Sequence, residues 1–438
     1  MKYIRLSISA MMLVSSALYA QDGIEIVDGW EVSGDIRVGW VEYDYSNPPK
    51  DDGTASNPDI NNGHIDSHGI YTTPKISISS PKDSRIRFKT TIAGATDFGI
   101  NDEKYEKRNF VFDPNEKKSY MILQEAYLSY EDKQHKLLVG REELVTPMID
   151  KDDWYMFADS FELAYYQNKS LKDTTIMGGY FSKMAGVWDS GANGTKFESM
   201  SQASFIDGAD KAHIGAKGIS FASLLYNDNK HHNIQVWDYY GEDMYNTLFV
   251  QYDYTNSIGG FNYDAGLQYM NFKEVGYLAS DEAVTNIDYS LYSARFDGSF
   301  SNGIDFATGV AKYTDGEGQG ATLGAFGGYP YFANGMIFHF FEAGSLQNAA
   351  SYKAQLGYNF AKFGQNDLWI GYRYTYFDLD PTYSQNGYGE PQDTMVLNGV
   401  RVSYGKSKGA YFTGTYESVD LDNEPSTYSL RLIGGYRF

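Results

Sequence analysis

Apolar and polar residues alternate along most of this chain, and the alternation is clearest at its end. From Tyr428 to Phe438, the residues Tyr428, Leu430, Leu432, Gly434, Tyr436 and Phe438 fall on one side of an extended strand. Ser429, Arg431, Gly435 and Arg437 fall on the other, with Ile433 the single apolar residue among them. A strand of this length, greasy on one face and polar on the other, can cross an outer membrane at a tilt. Eighteen such segments are expected, near 29–43, 69–80, 84–96, 118–131, 135–143, 159–168, 173–184, 212–226, 231–240, 245–256, 260–274, 286–300, 303–313, 350–361, 366–380, 394–405, 408–418 and 428–438. The number is even, as a bacterial barrel with both termini in the periplasm requires.

The connections alternate in length. Short turns fall at Pro81–Asp83, Glu131–Gln134, Asn168–Leu171, Asn227–Lys230, Asn256–Gly259, Ser301–Gly303, Lys362–Gln365 and Gly405–Lys408. Long segments lie between them, notably 44–68, 97–117, 144–158, 185–211, 314–349 and 381–393. Short periplasmic turns opposite long outer loops are the topology of an antiparallel transmembrane β-barrel, and a soluble sandwich has no reason to keep that order. The fold expected is all-β, an 18-stranded antiparallel transmembrane barrel forming one domain over 21–438.

Two loops are unusual. Leu144–Met156 mixes Asp150, Asp152 and Asp153 with Trp154 and Tyr155. The 314–349 segment carries Asp315 and Glu317, then a Gly-rich aromatic run that includes Tyr329 and Tyr331. A structureless loop this long needs work to do, and folding inward to narrow a pore supplies it. The competing readings are a Ca²⁺-binding surface turn for the first loop and an extra strand pair at 320–344 for the second.

Composition sharpens this picture. The chain has 39 Tyr and 45 Gly yet a formal charge of −21, an odd balance for a soluble globule. It suits a barrel in which only alternate residues meet lipid and tyrosines gather in interfacial girdles. Lys2 and Arg5 followed by the apolar run Leu6–Leu18 read as a signal peptide over 1–20, cut after Ala20. Cysteine is absent, so disulfides and thiolate chemistry are excluded. The acidic balance argues against nucleic acid. The seven histidines show no metal-ligand spacing on a common element, no catalytic motif stands out, and no cofactor or metal is expected.

The chain resembles the OprD-type substrate-specific porins. The resemblance is carried by Leu138–Arg141 with the loop that follows, Ser160–Tyr165, Gly178–Lys183, Tyr331–Met336 and Ile370–Tyr374. It implies an eighteen-stranded outer-membrane channel in which the third and seventh outer loops form a constriction facing a ladder of basic side chains. A closing strand that ends in Tyr436-x-Phe438 likewise resembles the signal by which such barrels are recognised and inserted. This chain departs from the family in being more acidic, and the residues that choose a substrate do not match clearly enough to carry over.

Strand parity supplies an independent test of a basic wall. With Val32, Ile36, Val38 and Trp40 outward, Arg37 faces the lumen together with Glu31, Ser33 and Asp35. The same reasoning turns Lys75, Arg85, Arg87, Lys89, Lys353, Arg373, Arg401 and Arg431 inward, and barrel closure makes them one contiguous wall. Asp150, Asp152, Asp153, Asp315 and Glu317 are expected opposite, giving a transverse field. The function expected is a passive outer-membrane channel for small hydrophilic solutes bearing carboxylates or zwitterionic charge. The alternatives are a wide general porin and a non-conducting surface adhesin or structural barrel. Partners expected are those solutes, lipopolysaccharide and outer-membrane lipid, with the protein a monomer or a homotrimer.

Overall fold

The computed structural model describes residues 24–25, 29–45, 67–101, 119–153, 156–186, 196–338, 343–365, 367–385, 390–405, 408–422 and 426–438. The expected signal peptide lies outside the described residues, as do Trp154 and Tyr155. Eighteen long strands run antiparallel and close on themselves. They are β1 (Glu31–Tyr45), β2 (Ser67–Ser79), β3 (Ile86–Ala95), β4 (Tyr120–Glu131), β5 (His135–Glu142) and β6 (Ser160–Asn168). Next come β7 (Thr174–Ala185), β8 (Ile219–Asn227), β9 (His232–Gly241), β10 (Tyr245–Ile258), β11 (Phe261–Glu274) and β12 (Asp288–Phe300). The last are β13 (Ile304–Tyr313), β14 (Ala350–Asn359), β15 (Leu368–Asp378), β16 (Thr394–Gly405), β17 (Gly409–Leu421) and β18 (Thr427–Arg437). The seam pairs β1 with β18 from Asp35↔Arg437 to Tyr45↔Thr427. Beyond it, the Phe438 and Gly34 amides donate to each other's carbonyl at 3.0 Å.

Burial is inverted relative to a soluble protein. Ile86, Leu267 and Leu356 are each at least 60% exposed, because outward side chains are dressed for lipid. The buried apolar residues concentrate where the two unusual loops enter the lumen. Met148, Ile149, Met156, Phe157, Leu323, Phe326, Ile337 and Phe338 are all buried. The run at 320–338 forms no strand beyond a single bridge; it holds a one-turn helix, α3 (Gln319–Thr322), and irregular chain. The strand count therefore stays at eighteen.

One strand boundary differs from expectation. The segment near 212–226 begins as helix, with α1 (Met200–Ala203) and α2 (Gly208–Ile214) preceding β8. The Asp207 carboxylate caps α2 by accepting the Ala209 amide at 2.7 Å, and Gly215 ends it at φ +68°. Two local devices thus override what reads as alternation.

Candidate functional site: a pore narrowed by two docked loops

Residues 143–153 and 156–159 reach into the lumen and are fastened on several sides. Arg37 of β1 donates to Asp153 at 2.7 Å, and the Gln124 amide of β4 donates to the Ala158 carbonyl at 2.7 Å. Phe157 packs edge-on against Tyr120 with ring centroids 5.2 Å apart. Asp153 keeps a side chain 60% exposed to pore water although the barrel surrounds it. Burial pushes its carboxyl up, but Arg37, with Arg431 and Lys151 nearby, overrides this and holds it below its ordinary value. At Asp150 burial outweighs the neighbouring Lys151 and raises the carboxyl.

The loop 314–349 enters from the opposite arc and meets the first. The Asp150 amide donates to the Phe326 carbonyl at 2.9 Å, and Ile149 bridges Gly327. Gly327 sits at φ +84°, and a Cβ there would lie 2.3 Å from the Asp150 carbonyl oxygen, so only glycine allows this contact. The wall then grips residues 334–338. Arg373 donates to the Gly335 carbonyl at 2.7 Å, and Arg401 to the Met336 carbonyl at 3.0 Å. Thr375 donates to the Asn334 carbonyl at 3.1 Å. The wholly buried Glu417 of β17 accepts the amides of Met336, Ile337 and Phe338 at 2.7, 2.6 and 2.8 Å. On the other flank, Gln268 donates to the Pro330 carbonyl at 2.5 Å and Arg295 lies over the Phe332 ring at 4.7 Å.

The basic positions form a diagonal row in the strand register. Lys353 pairs with Thr375, and Arg373 lies two residues nearer the periplasmic end of β15. Arg373 pairs with Gly399, and Arg401 lies two residues further along β16. Arg401 is level with Thr415, which is level with Arg431. Arg431 pairs with Val41 on β1, Arg37 lies four residues nearer the periplasm, and Lys75 continues the row on β2.

The roles along this row differ. Arg373 and Arg401 are engaged with the loop, whereas Lys353 makes no ion pair or hydrogen bond among the described residues. Lys75 pairs with Glu143, Lys89 with Glu125 at 2.6 Å and Arg87 with Glu131 at 3.2 Å. Arg85 is exposed beside the β2–β3 turn.

The acids divide in two. The Asp152 carbonyl accepts the Asp159 amide at 3.0 Å within the inward loop. Asp315 and Glu317 line a groove of about 480 Å³ with Asn286 and Asp288, in which none of the basic row takes part. Tyr331 is buried edge-on against Tyr313 at 5.8 Å, and Tyr329 is partly buried.

Beneath the inward loop, on the periplasmic side, lies a cavity of about 410 Å³. Arg37, Lys75, Lys89, Lys151, Lys408 and Arg437 line it against Asp35, Glu143 and Asp153, and with Glu125 paired to Lys89 at 2.6 Å two cations remain in excess. Strand parity had missed several of these groups. Arg295 reaches Asp253 at 2.9 Å and Asp264 at 2.7 Å, on strands whose polar faces carry the same alternation signal. Glu417 gave no such signal, because its partners lie about 80 residues earlier in an irregular loop.

These features define a bacterial outer-membrane channel whose lumen is narrowed by its own loops. A family model described as "outer membrane porin, OprD family" matches residues 131–399, and the chain belongs to that family. No curated protein matches the sequence. Among solved structures it is similar to Pseudomonas aeruginosa OpdK with vanillate, at 12% identity and TM-score 0.73, covering 93% of this chain and 98% of that one. Acinetobacter baumannii OccAB4 is similar at 17% identity and TM-score 0.74, covering 94% and 98%. Pseudomonas aeruginosa OccK2 (OpdF) in complex with glucuronate is similar at 13% identity and TM-score 0.69, covering 93% and 96%.

Proposed function

We propose that this porin passes small hydrophilic solutes selectively, favouring those that carry a carboxylate, zwitterions included. The observation that carries the proposal is the row from Lys353 to Lys75 leading into a cavity where cations outnumber acids. In a narrow aqueous pore with low-dielectric walls, such a row concentrates anions even though the whole chain carries −21. Lys353 and Lys151 are better placed to meet solute than Arg373 and Arg401, whose donors are committed to the loop. The complexes of OpdK with vanillate and OccK2 with glucuronate, both carboxylates, support this reading. A general wide pore fits less well with two loops bonded to each other across the lumen.

We further read residues 21–438 as one unit exported by the 1–20 signal, with Tyr436 and Phe438 as its assembly signal. The protein works as a monomer or a homotrimer in contact with lipopolysaccharide.

The test uses a matched pair of sugars across a planar bilayer, glucuronate and glucose. Glucuronate is expected to interrupt single-channel current where glucose at equal concentration does not. A Lys151→Gln/Lys353→Gln variant should need about tenfold more glucuronate. Equal block by both sugars, or unchanged block in the variant, overturns the proposal.

A further inference from the structure

We infer that the outer face of the barrel carries a binding site for a phosphorylated lipid of the outer leaflet, built from Arg141 and Lys183. Arg141 pairs with Ala126 and Glu162 across β4, β5 and β6. It shares its side of β5 with Leu137 and Val139, which are 48% and 55% exposed, while Leu138 between them is wholly buried. Arg141 therefore points away from the pore. Lys183 lies opposite Glu162 where the β6–β7 register shifts, on the same outer side. Arg141, Glu162 and Lys183 are all near the extracellular ends of their strands.

The cluster is organised. Glu162 holds both cations, accepting Arg141 Nε and an outer guanidinium nitrogen at 2.9 and 2.7 Å and lying 3.5 Å from Lys183 Nζ. Arg141 also donates to the Leu123 carbonyl at 3.3 Å. Beyond β7, Glu198 and Ser199 pair back onto Met184 and Lys183. That pairing brings Phe197 within 4.0 Å of the Arg141 guanidinium. Two cations thus share one carboxylate on the outer surface of a chain whose net charge is −21.

Two physical arguments identify the occupant. A guanidinium fixed in its plane by a carboxylate and an aromatic ring, with an ammonium alongside, suits phosphate oxygens, and the excess positive charge requires an anion. Directly toward the periplasm on the same strands lie Leu137, Val139 and Tyr180, all exposed, an apolar slope for acyl chains. A basic head over an apolar foot fits a lipid carrying phosphate at its headgroup. This site is separate from the lumen and does not depend on which solute the pore carries.

Native mass spectrometry of the folded porin tests this, using a diphosphorylated glycolipid and its dephosphorylated form with the same acyl chains. The native protein should retain the phosphorylated lipid, and Arg141→Gln/Lys183→Gln should weaken retention about tenfold or more. The dephosphorylated lipid should bind both proteins weakly and alike. If the double variant fails to fold, Lys183→Glu alone, which keeps the Arg141–Glu162 pair, should show the same loss. Equal retention of the two lipids by native protein, or of the phosphorylated lipid by native and variant, overturns the inference. A changed subunit count with unchanged lipid retention also overturns it, because the patch then serves a second copy.

Discussion

Glu417 is the point at which the constriction can be loosened without touching its lining. The wholly buried carboxylate accepts three consecutive loop amides at 2.6–2.8 Å, beside the bonds from Arg373 and Arg401. In Glu417→Ala those amides lose their acceptor, and the two guanidiniums lose their nearest buried counter-charge. Breaking a buried charged network of this kind costs about 3–5 kcal/mol. Even the lower figure shifts the ratio of docked to undocked loop by roughly 150-fold. Arg373, Arg401 and Thr375 still hold the carbonyls of 334–336, so the loop should detach intermittently rather than permanently. Single-channel recording should show excursions to a higher-conductance level and lost discrimination between glucuronate and glucose. Glu417→Gln, which keeps one acceptor oxygen and adds a competing donor, should fall between. Native conductance, noise and solute discrimination in Glu417→Ala would refute the reasoning, and would mean that apolar packing of Met336, Ile337 and Phe338 suffices.

Two further perturbations probe other parts. Arg295→Gln leaves Asp253, Asp264 and Asp297 without their shared cation. It should move the reversal potential toward cations and destabilise the barrel by roughly 1–3 kcal/mol in denaturant titration; an unmoved reversal potential counts against a lumen-facing role. At the β8–β9 turn, Asp228 accepts the amides of Lys230, His231 and His232, which with its neighbours hold its carboxyl at about 2 against an ordinary 3.8. A depressed folded value means its stabilisation is complete above the unfolded value and disappears as pH falls from about 4 to about 2. The stability gap between native protein and Asp228→Ala should close over that window, and a gap independent of pH would be the contrary result.

The strands were readable because the bilayer imposes a period of two on every wall segment, and the turns because short polar connections recur between them. That is why seventeen of the strand positions need only boundary adjustments while α2 was missed: its evidence is an Asp207 cap and a Gly215 stop, both local and easily lost among alternating residues. Parity also located Arg373 and Arg401 on the inner wall. It could not show that they grip main-chain carbonyls of residues 334–336, because a loop without periodicity leaves its path unwritten. Asp315 and Glu317 illustrate the same limit, since their charge suggested the constriction but could not show that they share a groove with Asn286 and Asp288. Outward Arg141 broke the apolar rule of its face, and that local violation was the visible trace of a site beyond the pore.

The contacts that join the two inward loops, Asp150 to Phe326 and Ile149 to Gly327, and those that fasten 334–338 to the wall all use main-chain atoms of the loops. Such bonds are indifferent to most side-chain identities. Mutation can therefore rewrite the chemistry around the aperture while its width is inherited, provided Gly327 and the few anchoring wall residues persist. A lineage of such channels could diversify its diet one side chain at a time without ever opening the cell to larger molecules.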